Sequence, residues 1–174
     1  NGEGGGEEFM RRDEALHIHH GFDHGITNEN LLVINGPLDY SDPATPAIIV
    51  EAIKDAGGAD LLVVDTLAAN CGDSDENASR DMGRLWTNCR RIRLETGAAL
   101  IVVHHPNHSN HRRPGGSTIL LRNPDYACRI DVDKRSPGLR FLRNGEQYGL
   151  KNRNSLGFGS IPFRIQEVDL GEFD

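Results

Sequence analysis

The stretch Asp60-Leu61-Leu62-Val63-Val64-Asp65-Thr66 decides the fold that the sequence predicts. Its short apolar run, bounded by charged residues, is typical of a strand that is buried on both faces of a parallel sheet. Asp65 would then stand at the carboxyl end of the strand, where open α/β sheets bind their ligands. The sequence therefore predicts a buried strand that presents a carboxylate at the functional edge of a sheet.

A second apolar run, residues 98–103, has the same design and ends in His104-His105. An amphipathic helical stretch separates the two runs, which is the pattern of a βαβ unit with adjacent parallel strands. In a nucleotide-hydrolysing sheet, an acid after the first strand directs Mg²⁺, and a polar group after the second senses the terminal phosphate. An acid or a histidine also ends ordinary parallel strands, which leaves a purely structural role open.

Composition and length indicate one globular domain over residues 1–174. The net charge of −7 argues against a generally basic surface for nucleic acid. No apolar stretch reaches the roughly 18 residues of a membrane span, and no signal-peptide pattern is present. Three cysteines without paired spacing argue against a disulfide framework, so we expect a reducing, cytoplasmic location.

Three helices are predicted around these strands. The first runs from Glu7 to His20, with Gly21 at the position of a C-cap. The second runs from Pro43 to Ala56, and the third from about Glu76 to Thr96 with Gly97 ending it. The second helix is expected to turn one apolar face to the core, formed by Ile48, Ile49, Ala52, Ile53 and Ala56. The third has a longer buried stripe, formed by Ala78, Met82, Leu85, Trp86, Cys89 and Ile92.

Strands are predicted on both sides of this unit. Residues 31–34 form a short apolar run that predicts a further buried strand, and residues 117–122 predict a short helical turn. The C-terminal part alternates polar and apolar residues between turn signals, which predicts an antiparallel meander that continues the sheet. Its expected strands are residues 126–133, 139–143, 148–150 and 161–165.

The order of these motifs resembles the RepA-like branch of the RecA-type ATPases, which includes plasmid and phage replicative helicases. The resemblance covers nearly the whole chain and implies a RecA-like α/β fold: a mainly parallel sheet flanked by helices, followed by antiparallel strands. It rests on Gly2-Glu3-Gly4, residues 61–66, residues 75–83, Val102-Val103-His104-His105, Gly115-Gly116-Ser117 and Lys151-Asn152-Arg153.

The resemblance implies ATP and Mg²⁺ as ligands. Asp65, with Thr66 beside it, resembles the Walker B acid that holds Mg²⁺ through water, and Glu3 resembles the carboxylate that polarises the attacking water. His104 and His105 resemble the phosphate sensor of the family. These are the metal-directing and water-orienting parts that phosphoryl transfer needs.

The resemblance also implies an assembly. Lys151 and Arg153 resemble the basic residues that RecA-type subunits offer across an interface, so we expect a homo-oligomeric ring, a hexamer, that couples ATP hydrolysis to single-stranded DNA. Such cations stabilise the charge of a neighbour's transition state.

The chain departs from the family in lacking Gly-x-x-x-x-Gly-Lys-[Ser/Thr], the P-loop that binds the β- and γ-phosphates. We expect that the chain begins after the strand preceding that loop and the strand leading to Glu3, so that about 30 residues or more are missing. We also expect the chain to be inactive alone. Arg113 is separated from the Gly-Ser pair by Pro114 and Gly115, whereas relatives place an arginine directly before it.

Two other classes of function stay open. A non-catalytic module could bind single-stranded DNA or a partner subunit through the long polar loop 106–116, although that loop has no aromatic residue for base stacking. A metal-dependent hydrolase could use the histidines of residues 17–24 and 104–111, although neither group has HExxH spacing.

Overall fold

A computed structural model describes residues 5–22, 30–34, 36, 38–107, 115–136, 138–144, 151–152 and 157–170. The helices in chain order are α1 (Gly5–His20), α2 (Thr45–Asp55), α3 (Ser79–Thr96) and α4 (Ile119–Arg122), with a 3-10 turn at Ala68–Asn70. The strands are β1 (Leu61–Val64), β2 (Ala99–Val102), β3 (Arg129–Val132), β4 (Leu139–Asn144) and β5 (Gly159–Arg164). No helix in these ranges is long and apolar enough to cross a membrane.

The strands form two sheets, so the fold is mixed α/β. β1 and β2 pair in parallel, with Leu61 opposite Ala99 and Val64 opposite Val102. β3, β4 and β5 form an antiparallel sheet in that order. The antiparallel meander is therefore confirmed, but the expectation that it continues the parallel sheet is wrong for the described strands, because the two sheets share no strand. In these ranges the parallel sheet has two strands, and the mainly parallel RecA-like sheet stays a prediction.

The long helix α3 organises the core. Its buried stripe recurs at helical spacing and matches the predicted stripe at Met82, Leu85, Cys89 and Ile92. The helix ends at Gly97, whose φ of 77° is the left-handed conformation of a C-cap and whose amide donates to the Arg93 carbonyl. The stripe packs against α2 and against the inner side chains of the parallel sheet, which are Leu62, Val64, Leu100 and Val102.

The buried face of α2 differs from the predicted one. Ile49 and Ile53 are buried as expected, but Val50 joins them while Ile48 is 55% exposed and Ala52 and Ala56 are exposed. The error arises because the helix contains apolar residues all round its N-terminal half, so periodicity alone does not choose the face that α3 covers.

The strand β1 is covered on one face in the described structure. Val64 is buried, whereas Leu61 and Val63 are 50% and 49% exposed, so the prediction of burial on both faces is wrong there. Residues 31–34 form no strand, and their side chains are exposed, which corrects the strand predicted for that run. An apolar run of four residues does not show which segment it could pair with, so its sequence alone does not decide whether it forms a strand.

The remaining helical predictions hold. α1 ends at His20, and Gly21 follows with a φ of 69° and donates its amide to the Ile18 carbonyl. The short turn predicted for residues 117–122 is α4, and the strand predicted for residues 148–150 lies outside the described residues.

Replacing Leu85 by Ala should lower the free energy of unfolding by ~2–5 kcal/mol, because the side chain is fully buried in the α3 stripe and truncation leaves a cavity. Leu94→Ala on the same helix is the matched control, since Leu94 is 65% exposed, and it should change stability by about 0.5 kcal/mol or less. Urea unfolding followed by circular dichroism measures both, and equal effects would contradict the packing of this face.

Candidate functional site

The carboxyl ends of β1 and β2 meet at one edge of the parallel sheet. The pairing extends beyond the strands, because the Val103 amide donates to the Val64 carbonyl at 2.9 Å and the Leu67 amide donates to the Val103 carbonyl at 2.8 Å. Asp65 follows β1 directly and is exposed, and His104 follows Val103. The two predicted site residues therefore leave neighbouring strands at the same edge, where α/β sheets bind ligands.

The imidazole of His104 is held in one tautomer. Its Nε2 lies 3.1 Å from the Gly115 carbonyl oxygen, and because a carbonyl only accepts, Nε2 must carry the proton. Nδ1 is then a lone-pair acceptor, and it is buried with no hydrogen-bond partner among the described residues. The pKa of His104 is lowered. Burial is the main cause, and it outweighs the Gly115 hydrogen bond and the Glu76 charge, which both raise the pKa. His104 is thus a neutral imidazole whose Nδ1 lone pair is available.

A glycine-serine turn fixes the position of Gly115. The Ser117 amide donates to the Glu76 carbonyl at 2.7 Å, and the Gly115 amide donates to the His105 carbonyl at 3.1 Å. The hydroxyls of Ser117 and Ser79 share a hydrogen bond of 2.9 Å. Gly116 has a φ of 75°, and a Cβ there would lie 2.6 Å from the Glu76 carbonyl oxygen. Only glycine allows this close approach of the turn to the segment before α3.

Glu76 is the residue of this edge to which the sequence assigns no role. Its Oε2 lies 4.0 Å from Nε2 of His105, and one ligand atom each of Glu76, His104 and His105 lies within 4.8 Å of the others. The sequence signal for Glu76 is limited to its place in Asp75-Glu76-Asn77 ahead of α3. A contact between Glu76 and His105, which are 29 residues apart, depends on the tertiary fold, and hydrophobic periodicity does not predict it.

The structure describes only some of the other predicted site residues. The Thr66 carbonyl accepts from Nδ2 of Asn70 at 2.8 Å, so Thr66 supports the 3-10 turn after β1. The ammonium of Lys151 donates to the Arg122 carbonyl at the end of α4. Glu3 and Arg153 lie outside the described residues, as does most of the loop 106–116 expected to contact DNA.

The histidines of α1 do not form a convergent metal-ligand group in the described structure. Nδ1 of His17 donates to the Asp13 carbonyl at 2.9 Å, and the rings of His19 and His20 contact each other. His24 lies outside the described residues. Within the described ranges, the group of three such side chains is the one at Glu76, His104 and His105.

A family model described as an AAA domain matches residues 1–111. The match covers more than half of the chain and includes Asp65, Glu76, His104 and His105. The chain belongs to this AAA domain family. No curated protein and no solved structure shows a significant match to the chain. Membership is consistent with an ATPase-like, nucleotide-binding domain.

Replacing Gly116 by Ala should lower the free energy of unfolding by ~1–3 kcal/mol, because a left-handed backbone is combined with a clash against the Glu76 carbonyl. Gly83→Ala is the control: it lies in α3 with open space at its Cβ and should be neutral or stabilising by about 0.5–1 kcal/mol. Chemical denaturation measures both variants. A Gly116→Ala protein as stable as the parent would show that the turn does not approach Glu76 this closely.

Proposed function

We propose that this AAA domain is part of a P-loop-type ATPase of the RepA-like, RecA-type class, in which Mg²⁺-bound ATP lies at the carboxyl edge of β1 and β2. The observation that carries the proposal is the arrangement of Asp65 and the two histidines at the ends of hydrogen-bonded parallel strands. Family membership supports nucleotide use in general. The helicase class rests on the sequence resemblance.

Asp65 suits the metal-directing role. Mg²⁺ prefers oxygen ligands and keeps several of its waters, so an exposed carboxylate at a strand end can hold it through water. When bound, Mg²⁺ neutralises phosphate charge. A direct Mg²⁺ ligand would need a more enclosed set of oxygens than Asp65 and Thr66 alone provide.

The two histidines do not suit phosphate sensing equally. A phosphate oxygen accepts hydrogen bonds, whereas His104 in its fixed tautomer offers a lone pair at Nδ1 and commits its N–H to Gly115. His105 has a half-exposed side chain at the same edge, and an N–H of its ring can donate to a phosphate oxygen. We therefore assign the phosphate contact to His105, with His104 and Gly115 positioning the loop.

We also propose that the intact protein forms a ring and couples ATP hydrolysis to DNA. Both proposals rest on the resemblance, as do a water-polarising role for Glu3 and a role in trans for Lys151 and Arg153. Lys151 would have to exchange its bond to the Arg122 carbonyl for a neighbour's phosphate, so Arg153 is the better candidate for such a contact.

The nucleotide site can be tested by mapping amide chemical shifts on addition of Mg²⁺ and a non-hydrolysable ATP analogue. We expect shifts at Asp65, Thr66, His104 and His105, with weak affinity of about 1 mM or ~4 kcal/mol because the chain has no P-loop. Asp65→Asn should weaken the Mg²⁺-dependent binding about tenfold, or ~1.4 kcal/mol.

Asp60→Asn is the matched control, because it removes the same charge at the opposite end of β1 and should leave binding unchanged. Shifts confined to the Asp60 end of the sheet, or equal weakening by the two variants, would exclude the proposed edge.

The isolated chain should hydrolyse ATP at a negligible rate. No lysine here stands in a P-loop, so the main anchor for the β- and γ-phosphates is absent from the sequence. Release of inorganic phosphate by the purified chain, with Asp65→Asn as the background, provides the measurement. Turnover that disappears in Asp65→Asn would mean that phosphate is bound by residues other than a P-loop.

A further inference from the structure

Three potential metal ligands from two separate segments converge beside the strand edge. Glu76 precedes α3, and His104 and His105 follow β2, yet one ligand atom of each lies within 4.8 Å of the other two. The carboxylate of Glu76 and Nε2 of His105 are 4.0 Å apart. Two imidazoles and a carboxylate are a ligand set that suits Zn²⁺ and similar transition-metal ions.

The environment of His104 adds a second, independent observation. Histidines that bind metals usually donate their other ring N–H to a carbonyl or carboxylate, which fixes the tautomer and directs the lone pair at the ion. In His104 the Nε2–H donates to the Gly115 carbonyl, and Nδ1 is buried with no hydrogen-bond partner among the described residues. The hydrogen bonding of His104 is therefore that of a metal ligand that coordinates through Nδ1.

We propose that Glu76, His104 and His105 bind a divalent transition-metal ion of the Zn²⁺ class. The ligands would be a carboxylate oxygen of Glu76, Nδ1 of His104 and Nε2 of His105, with a position left for water. This site is distinct in chemistry from the Mg²⁺ position proposed at Asp65, because Mg²⁺ prefers oxygen ligands throughout. It goes beyond the proposed ATPase function and does not depend on nucleotide, and an ion bound through His105 would compete with the phosphate contact proposed for that residue.

The geometry requires a modest closure of the ligands. Bond lengths of about 2.0–2.1 Å in a tetrahedral site place neighbouring ligand atoms roughly 3.3 Å apart. His104 is held by Gly115, whereas the side chain of His105 is 51% exposed and that of Glu76 is 21% exposed. His105 and Glu76 can therefore rotate toward an ion while His104 keeps its place.

Binding would join two segments that the turn already brings together. The Ser117–Glu76 hydrogen bond links the glycine-serine turn to the residues before α3, and the ion would link those residues to the end of β2. Because a ligand that binds only the folded state stabilises it, Zn²⁺ should raise the midpoint of thermal unfolding.

The test compares Zn²⁺ affinity, measured by competition with a chromophoric chelator, in the parent chain and in Glu76→Gln and His105→Gln. We expect the parent chain to bind one Zn²⁺ ion tightly. Each variant should bind it at least about tenfold more weakly, because removing a ligand should reduce the affinity no less than removing a residue that only hydrogen-bonds to a ligand. Thermal unfolding should shift with Zn²⁺ in the parent and not in these variants. Long-range ¹⁵N–¹H spectra should show the His104 Nδ1 resonance move on binding.

The control is a chain with both His19→Gln and His20→Gln, which removes two exposed histidines of α1 that could bind metal adventitiously. This variant should bind Zn²⁺ as the parent does. Affinity that persists in both Glu76→Gln and His105→Gln, or that is lost in the α1 variant, overturns the proposal. Glu76→Gln and His105→Gln change side chains that are partly exposed, and their circular dichroism spectra should match the parent. The comparison of Asp65→Asn with the parent tests nucleotide binding without changing a proposed Zn²⁺ ligand, so either result can fail alone.

Discussion

The hydrogen bond from the Ser117 amide to the Glu76 carbonyl is the contact on which the candidate site depends. It requires glycine at position 116 of the turn, where the backbone is left-handed and a Cβ would lie 2.6 Å from the Glu76 carbonyl oxygen. The same turn presents the Gly115 carbonyl to His104 and so fixes the tautomer of that imidazole. One backbone contact thus determines the position of a carboxylate and the chemistry of a histidine.

The edge of the parallel sheet combines two different chemical environments. Asp65 is exposed and offers oxygen, which suits a hydrated, hard cation. A neutral imidazole with a buried lone pair lies on the neighbouring strand end, and it suits softer ions or a positioning role. The two histidines also differ in their surroundings. His104 is hydrogen-bonded to the Gly115 carbonyl, whereas the side chain of His105 is half exposed and lies near the Glu76 carboxylate. Adjacent residues of the same type are therefore not interchangeable here.

The sequence predicted the elements whose signals are local. The ends of α1 and α3 follow from Gly21 and Gly97, and the buried stripe of α3 follows from its period. Features that depend on distant parts of the chain were not predictable: residues 31–34 form no strand, and α2 buries Val50 in place of Ile48. The same limit applies to the site, since Asp65 and the histidines are found from strand ends, whereas Glu76 is found only through the turn that folds over it.

The half-exposed outer face of the parallel sheet has a consequence for the behaviour of the chain in solution. Leu61, Val63 and Ile101 each leave about half of their surface in contact with water, and they lie side by side on paired strands. A contiguous apolar surface of this kind attracts amphiphilic dyes, other chains and chaperones. The apparent size of the chain should therefore depend on concentration and on cosolvents that weaken hydrophobic association. The strength of that dependence would measure the free energy of association through this apolar face.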